Sequence, residues 1–427
     1  VVVDANTVNC TALPMIVQGR TSLILEHLRL WARATRGMES TLGDGFRGRI
    51  DFTRLALVGH SNGAEASAMI PAMLGAPHTQ PQLFGARVAS VVAIAGSDSL
   101  GAVPSSTPFL AIQAGCDMQL PAHDGLRLYD RSVATRTAPH TVAYVVAATH
   151  NGFNQRWLRD ESMDGPSGTH HSACAQADKL ATWRQRALLD ATVGDWLLST
   201  ARVPERGLPA WLRGDAPMPA AIVAAVGGPI DVRWSHGSGE KLIIESFDGD
   251  EAPFKNDLGG LNSAFGFGNG GRCYAIRCDE EFAHASWGGR FEWDRPGARF
   301  HMDLPEIDAT KWTKITLRIT QLPTSSLNRA GRTIDATLRI FDAEGNAAGV
   351  PLSSVGGVEF PSMLAQSSET SRFFHAVWAD TRMPLERFAA ANPKLQMQRI
   401  VGIELAFDRP GSEHGAIVLG NIELTRP

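Results

Sequence analysis

The 427-residue sequence lacks two features that would place it in a common class of protein. It has no apolar run near the roughly 18 residues that a membrane helix needs. It also has no basic excess, because 40 Lys and Arg stand against 44 Asp and Glu and the net charge is −4. Without a general positive field a protein has little affinity for phosphate backbones. We therefore expect no membrane span and no nucleic acid partner.

Cysteine is scarce, with five residues in the whole chain. None forms a CxxC pair, and no Cys/His spacing is that of a structural zinc site. The stretch CYAIRC (273–278) is short enough to close a small disulfide loop, which suits an oxidising compartment. From the spacing alone, five scattered thiols are an equal alternative. His123, His170 and His171 share no i, i+4 spacing with a carboxylate, so we expect solvated loop residues and no metal site.

The N-terminus has no Met, no basic stretch and no apolar signal segment. It opens on VVVDAN (1–6), which is typical of a buried strand. We expect this strand to lie beside the strand that leads to Ser61. The natural protein is then expected to begin earlier, with its export signal in that earlier part.

The first 200 residues alternate strand-like and helix-like segments. Strands are predicted at 54–58, 87–96, 107–115 and 140–148, and helices at 20–34, 64–74 and 178–198. Apolar strands that alternate with helices predict a mostly parallel sheet covered on both faces. The fold class predicted for 1–200 is therefore α/β.

The remaining chain differs in composition and in hydrophobic pattern. Residues 201–240 are rich in Pro, Gly and Arg, which is typical of a linker or wrapping segment. From 241 to 427, short alternating runs such as TKITLRITQL are separated by Gly, Pro, Asn and Asp. This pattern predicts an all-β, antiparallel sandwich.

One short stretch carries a recognisable chemistry. Gly59-His60-Ser61-Asn62-Gly63 falls between a predicted strand and a predicted helix, where a G-x-S-x-G turn exposes a serine hydroxyl. Both glycines are expected to prevent clashes between the strand and the helix. The turn also directs the backbone N–H of Asn62 at a developing oxyanion. Ser61 is the candidate nucleophile.

A serine nucleophile needs a base, and the base needs an acid that orients it. In this arrangement the chain order is Ser, then Asp or Glu, then His, each after a strand. Asp117 follows the strand at 107–115, and His150 follows the strand at 140–148. Asp98, after the preceding strand, is an alternative acid, and Asp124 is a third choice.

With these residues, positions 1–200 resemble the α/β-hydrolase superfamily and, within it, a group of secreted esterases. The GHSRGGE-like elbow of that group stands here as GHSNGAE (59–65), and its HNxFN-like stretch as His150 to Asn154, followed by Trp157. A Cys-Asp pair and a later cysteine correspond to Cys116-Asp117 and Cys174. The resemblance implies a serine esterase without a cofactor, which acts on small or polymeric carboxylic esters in a secreted or extracytoplasmic location.

Departures from that group bear on the oxyanion hole and on the cysteines. Asn62 replaces an arginine and Ala64 a glycine, although neither position supplies a catalytic side chain. The loop that usually gives the second oxyanion donor has no counterpart before Ser61, so we expect that donor to be absent from this chain. If the protein is exported, we expect Cys116 to pair with Cys174 and Cys273 with Cys278, leaving Cys10 over.

The region from about 240 resembles jelly-roll sandwiches appended to secreted hydrolases, some of which bind carbohydrate. Aromatic side chains could stack on sugar rings, but core packing is the favoured interpretation for Trp287, Trp293, Trp312, Phe374 and Trp378. The leading hypothesis is a Ser-His-Asp esterase. The alternative is a catalytically impaired hydrolase-fold protein that binds carbohydrate through its sandwich. A further possibility keeps the enzyme but changes the reaction, because the same triad can also hydrolyse amides or thioesters.

Overall fold

The structure is a computed structural model, and it describes most of the chain. The described residues are 3, 5, 8, 13–38, 41–75, 83–104, 106–117, 119–120, 123–155, 179–249, 254–274, 286–361 and 377–426. Contacts divide the chain after His236 into two compact units. Mixed α/β structure fills the first unit, and antiparallel sheets fill the second.

A five-stranded sheet in the order β1-β2-β3-β4-β5 forms the centre of the first unit. The strands are β1 (Leu55–His60), β2 (Val88–Ile94), β3 (Phe109–Ala114), β4 (His140–Val145) and β5 (Val232–Gly237). The first four run parallel to one another. Because β3 is buried at every position, its uninterrupted apolar sequence is explained by cover on both faces. The predicted parallel sheet is confirmed.

Helices pack around this sheet. Those in the described residues are α1 (Leu13–Thr35), α2 (Asn62–Leu74), α3 (Gly125–Asp130), α4 (Thr182–Leu197) and α5 (Ala220–Ala225). Leu25 of α1 packs with Ile70 and Leu74 of α2. Leu188 and Trp196 of α4 share a core with strands β2 to β4. The helices predicted from periodicity are therefore confirmed, and α1 begins seven residues earlier than predicted.

The segment predicted as a linker or wrapping segment packs onto this first unit. Trp211, Leu212 and Val226 are buried in the same core as α4. The segment ends in β5, which lies beside β4 in the sheet. The predicted opening strand at 1–6 lies outside the described residues, apart from Val3 and Ala5. Within the described part, β1 is an edge strand, and Val58 is 49% exposed.

Two antiparallel sheets form the second unit. One has the order β13-β12-β15-β10-β7; the other has the order β14-β11-β16-β9-β8, with β6 also paired to β16. The strands are β6 (Lys241–Glu245), β7 (Asn262–Phe265), β8 (Asn269–Tyr274), β9 (Trp287–Trp293), β10 (Arg299–Ile307), β11 (Lys314–Gln321), β12 (Thr337–Asp342), β13 (Ala347–Pro351), β14 (Ala379–Pro384), β15 (Ile400–Ala406) and β16 (Gly415–Thr425). A short helix, α6 (Glu386–Ala391), follows β14.

Both sheets of this unit contribute to one apolar core, so the predicted β-sandwich is confirmed. Trp293 and Trp378 are each 1% exposed, which agrees with a packing role. Trp287 and Trp312 are partly buried against the core, and Phe374 lies outside the described residues. Over the described part of the chain, every helix is too short or too polar to cross a bilayer.

Candidate active site

Ser61, Asp117 and His150 each follow a strand of the parallel sheet. Ser61 comes directly after β1, Asp117 after β3 and His150 after β4. Parallel strands end at the same edge of a sheet, and this edge is where open α/β sheets bind ligands. The three predicted residues therefore lie at one edge of the sheet.

Ser61 occupies a strained turn between β1 and α2. Its φ is 58° and its ψ is −130°, a conformation that a residue with a Cβ rarely adopts. A serine before a helix usually accepts a hydrogen bond from the first turn, but the Ser61 side chain makes no such bond. Its hydroxyl is thus not used to cap the helix.

The two glycines of the elbow differ in what surrounds them. A Cβ on Gly59 would lie 2.0 Å from the carbonyl oxygen of Gly63, so a side chain there is excluded. A Cβ on Gly63 would meet only Nη1 of Arg20, at 3.7 Å. The expectation that both glycines prevent clashes is therefore wrong for Gly63 and right for Gly59.

Asp117 and His150 are joined by a buried hydrogen bond. Nδ1 of His150 donates to Oδ2 of Asp117 at 2.9 Å, and both side chains are fully buried. The backbone N–H groups of Gln119 and Leu120 donate to Oδ1 of Asp117 at 3.1 and 2.8 Å. These bonds hold the carboxylate in one orientation, in which it accepts the hydrogen bond from the Nδ1–H of His150. The lone pair of His150 is then on Nε2, which has no hydrogen-bond partner among the described residues.

The alternative acids have other partners. Both carboxylate oxygens of Asp98 accept hydrogen bonds from the guanidinium of Arg131. Asp124 lies 3.4 Å from Arg127, one turn along α3. Burial raises the pKa of Asp98 and of Asp124 in spite of these arginines. Neither carboxylate is bonded to His150, so Asp117 is the acid that the structure brings to the histidine.

His60 belongs to the site, although the sequence reasoning assigned it no role. Its Nε2 donates to the backbone oxygen of His150 at 3.0 Å, and the two rings are 4.6 Å apart. Burial, reinforced by the electrostatic interaction with His150, lowers the pKa of His60 to about 4. His60 is thus neutral near pH 7 and supports the loop that carries His150. The contact spans 90 residues, so no local spacing could have indicated it.

Asn62 is the first residue of α2. Its N–H has no acceptor one turn earlier within the helix, as expected at a helix start. That position leaves the group available to an oxyanion beside Ser61. The expectation that this chain lacks the second oxyanion donor stays a prediction.

Cys116 and Cys273 are both disulfide-bonded. Their predicted partners, Cys174 and Cys278, lie outside the described residues, as does Cys10. The N–H of Cys116 donates to the oxygen of Ala148 at 2.8 Å, which ties the loop of Asp117 to the loop of His150.

Predictions for the other histidines have mixed outcomes. His123 is wholly buried, with its ring edge-on to Tyr144, so its prediction as a solvated residue is wrong. His170 and His171 lie outside the described residues, and so does Trp157. Where the structure describes the chain, no group of three or more His, Cys, Asp or Glu is arranged to hold a metal ion.

No family model matches this sequence, and no curated protein matches it. Among solved structures, it is similar to a family 11 carbohydrate-binding module from Clostridium thermocellum in complex with a β-1,3-1,4-mixed-linked tetrasaccharide. The identity is 13% and the TM-score 0.27, over 43% of this chain and 95% of the module. A family 30 carbohydrate-binding module from the same organism has 10% identity and a TM-score of 0.24, over 33% and 75%. A carbohydrate esterase from the Shiga toxin-encoding bacteriophage phi24B has 9% identity and a TM-score of 0.24, over 44% and 100%. TM-scores this low do not establish a shared fold.

Proposed function

We propose that the first unit is an α/β-hydrolase that cleaves carboxylic esters through an acyl-enzyme, with Ser61 as nucleophile, His150 as base and Asp117 as the orienting acid. The observation that carries the proposal is the buried Asp117–His150 hydrogen bond, which puts the imidazole lone pair on Nε2, an atom that has no hydrogen-bond partner among the described residues. It is supported by the strained turn at Ser61, at the same edge of the sheet.

The mechanism follows from these positions. Oγ of Ser61 attacks the ester carbonyl carbon while its proton passes to Nε2 of His150. The N–H of Asn62 stabilises the oxyanion, and the bond to the leaving oxygen then breaks as that oxygen takes the proton from His150. Water, deprotonated by His150, attacks the acyl carbon, and the proton returns to Oγ of Ser61 as the acid is released.

Labelling with a fluorophosphonate probe tests this proposal, because such probes react with an activated serine. We expect the wild-type protein to be labelled at Ser61, and Ser61→Ala to lose both labelling and the hydrolysis of p-nitrophenyl esters. Ser67→Ala, a change on the same helix, is the matched control and should be labelled normally. A folded wild-type protein without labelling would instead favour the alternative, a catalytically impaired binding protein.

The substrate class is carboxylic esters, of the kind that an esterase, a lipase or a polyester hydrolase cleaves. A series of p-nitrophenyl esters of increasing acyl length, with one polyester film, would separate these three. The disulfide-bonded Cys116 and Cys273 support an oxidising, extracytoplasmic location.

A second candidate function belongs to the sandwich, whose sheet β13-β12-β15-β10-β7 has an outer face with exposed aromatic and polar groups. Phe265 is 47% exposed, and the guanidinium of Arg299 lies 4.6 Å from its ring. His301 contacts Phe341 edge-on at 5.4 Å. Aromatic faces can stack on sugar rings while such polar groups bind hydroxyls. We propose that this face binds a saccharide chain.

Titration with soluble polysaccharides, including a mixed-linkage β-glucan and a xylan, tests the second candidate. Phe265→Ala should weaken the binding. Phe84→Ala is a close control, because Phe84 is an exposed phenylalanine of the first unit with Arg36 over its ring at 3.9 Å. Equal effects of the two substitutions, or no binding by the wild-type protein, would remove this function.

A further inference from the structure

Glu65 is a buried carboxylate for which the proposed mechanism has no use. It lies in the first turn of α2, four residues after Ser61, and is 0% exposed. Its Oε2 accepts hydrogen bonds from Oγ of Ser97 at 3.0 Å and from N and Oγ of Ser99 at 2.8 and 2.9 Å. Its Oε1 accepts a bond from the N–H of Leu100. Burying a carboxylate is costly unless such bonds satisfy it, so an apolar residue would serve packing alone better.

All of these donors belong to one loop, residues 97–100, which follows β2. The same loop holds the nucleophile: the N–H of Ser97 donates to the carbonyl oxygen of Ser61 at 3.4 Å. The N–H of Ser61 donates to the oxygen of Ile94, at the end of β2, at 2.9 Å. The carbonyl oxygen of Ser61 also accepts the N–H of Ala64 at 2.9 Å, so the main-chain groups of Ser61 are held by the start of α2, the end of β2 and the 97–100 loop together.

The connection between β2 and this loop is itself tightly fitted. Ala95 has a positive φ of 43°. A Cβ on Gly96 would lie 3.0 Å from the Cβ of Ala64 on α2. The end of β2 thus packs closely against the first turn of α2. A small shift of the loop that follows would therefore displace the turn that carries Ser61.

We propose that Glu65 is a positioning residue that clamps the 97–100 loop and, through it, keeps Ser61 in its strained conformation. The effect on catalysis that we expect from this clamp rests on the proposed function. Strained backbone persists only where the surrounding structure over-determines it. The carboxylate supplies that constraint by accepting hydrogen bonds from three residues of the loop, Ser97, Ser99 and Leu100.

The test compares two clamp variants with a control of similar chemistry. Glu65→Gln keeps the volume but puts an amide donor where loop donors converge, and Ser99→Ala removes one side-chain donor. Ser132→Ala is the control, because it removes a buried bond, from Oγ of Ser132 to Nδ1 of His140 at 2.6 Å, at the start of β4. All proteins are compared well below their melting temperatures.

We expect Glu65→Gln to lower kcat and the rate of fluorophosphonate labelling by about 10- to 100-fold, while KM changes less than about threefold. Ser99→Ala should give a smaller loss of the same kind. Amide hydrogen exchange at Ser61 should become faster in both clamp variants. Ser132→Ala should lower the melting temperature without changing the labelling rate or the exchange at Ser61.

Each outcome bears on one of the two proposals. Unchanged labelling and unchanged exchange in Glu65→Gln overturn the clamp, as does a loss that Ser132→Ala matches. If Glu65→Gln does not fold, Ser99→Ala decides by the same readouts. If the wild-type protein is not labelled at all, the hydrolase proposal fails, and the exchange at Ser61 alone decides whether the clamp stands.

Discussion

Asp117 and Asp98 are two carboxylates at the ends of nearby strands, and both side chains are buried, 0% and 1% exposed respectively. Their partners distinguish them: Asp117 accepts a hydrogen bond from Nδ1 of His150, whereas Asp98 accepts hydrogen bonds from Arg131. A carboxylate that orients an imidazole must fix its tautomer, and only Asp117 has the contact that does so. The roles of the two residues are therefore decided by their neighbours rather than by their burial.

We expect Asp117→Asn to lower kcat by roughly 10⁴-fold, because an asparagine stabilises the wrong tautomer of His150. Asp98→Asn should lower kcat by less than about tenfold, since it loses only a bond to Arg131. Steady-state kinetics on a p-nitrophenyl ester, with circular dichroism as a check on folding, would measure both. The reverse ranking would move the acid to the strand end that carries Asp98.

Single residues also show where inference from sequence stops. Ser61, Asp117 and His150 could be singled out because each lies in the turn or loop after a strand and because their order along the chain is that of a Ser-Asp-His triad. His60 and Glu65 could not, because their partners lie 90 and 32 to 35 residues away. His123 is predicted as a solvated loop residue because it shares no i, i+4 spacing with a carboxylate, yet its ring packs on Tyr144 of β4.

The β1-to-α2 turn depends on how closely its two ends approach each other. At Gly59 the strand lies so near the helix that a Cβ would be 2.0 Å from a backbone oxygen, which no rotamer change can relieve. A Cβ on Gly63 would make only an ordinary contact, 3.7 Å from Nη1 of Arg20. The motif therefore contains one glycine that the packing requires and one that it does not.

Gly59→Ala should destabilise the protein by about 3 kcal/mol, at the upper end for overpacked sites, and should abolish fluorophosphonate labelling. Gly63→Ala should raise the free energy of unfolding, by less than about 1 kcal/mol, because alanine has a higher helix propensity than glycine. Urea denaturation of the two variants provides the comparison. Similar losses in both would show that the helix start is tighter than its geometry indicates.

Strands and helices of both units were predictable where the pattern was strong. Uninterrupted apolar runs indicated β2, β3 and β4, and alternation indicated β10, β11, β12 and β15 of the sandwich. The composition of the stretch that ends in β5, rich in Pro, Gly and Arg, predicts a linker or wrapping segment. Trp211 and Leu212 are nevertheless buried there, since wrapping segments pack through a few large side chains rather than through a periodic face.

The two units contain buried ionisable groups of different kinds, so the whole molecule has more than one source of pH dependence. In the first unit the lowered pKa of His60 keeps that ring neutral. In the second unit Glu245 is 1% exposed. Its Oε1 accepts a hydrogen bond from the N–H of Phe247 at 2.6 Å, and its Oε2 accepts one from Nδ2 of Asn262. Burial raises the pKa of Glu245 to about 7, although these hydrogen bonds oppose the rise.

The sign of the resulting effect on stability follows from linkage. The pKa of Glu245 is higher in the folded protein, about 7, than its ordinary value of 4.5, so folding favours the protonated form. Its stabilising contribution is complete below about pH 4.5 and is lost as the pH rises through about 7. At about 1.36 kcal/mol per pKa unit, the whole change is about 3 kcal/mol.

We therefore expect the wild-type protein to lose stability relative to Glu245→Gln as the pH rises. The difference in unfolding free energy between the two proteins should shift by about 3 kcal/mol between pH 4.5 and pH 7.5.

Asp342→Asn is the control. Burial alone would raise the pKa of Asp342, but hydrogen bonds from Asn346, Gln396 and Glu344 lower it, so its titration lies below this window. Urea denaturation of the full chain at several pH values measures all three proteins, and the difference with Asp342→Asn should stay constant from pH 4.5 to 7.5. If the difference with Glu245→Gln also stays constant, Glu245 titrates at its ordinary pKa and the sandwich accommodates its charge without cost.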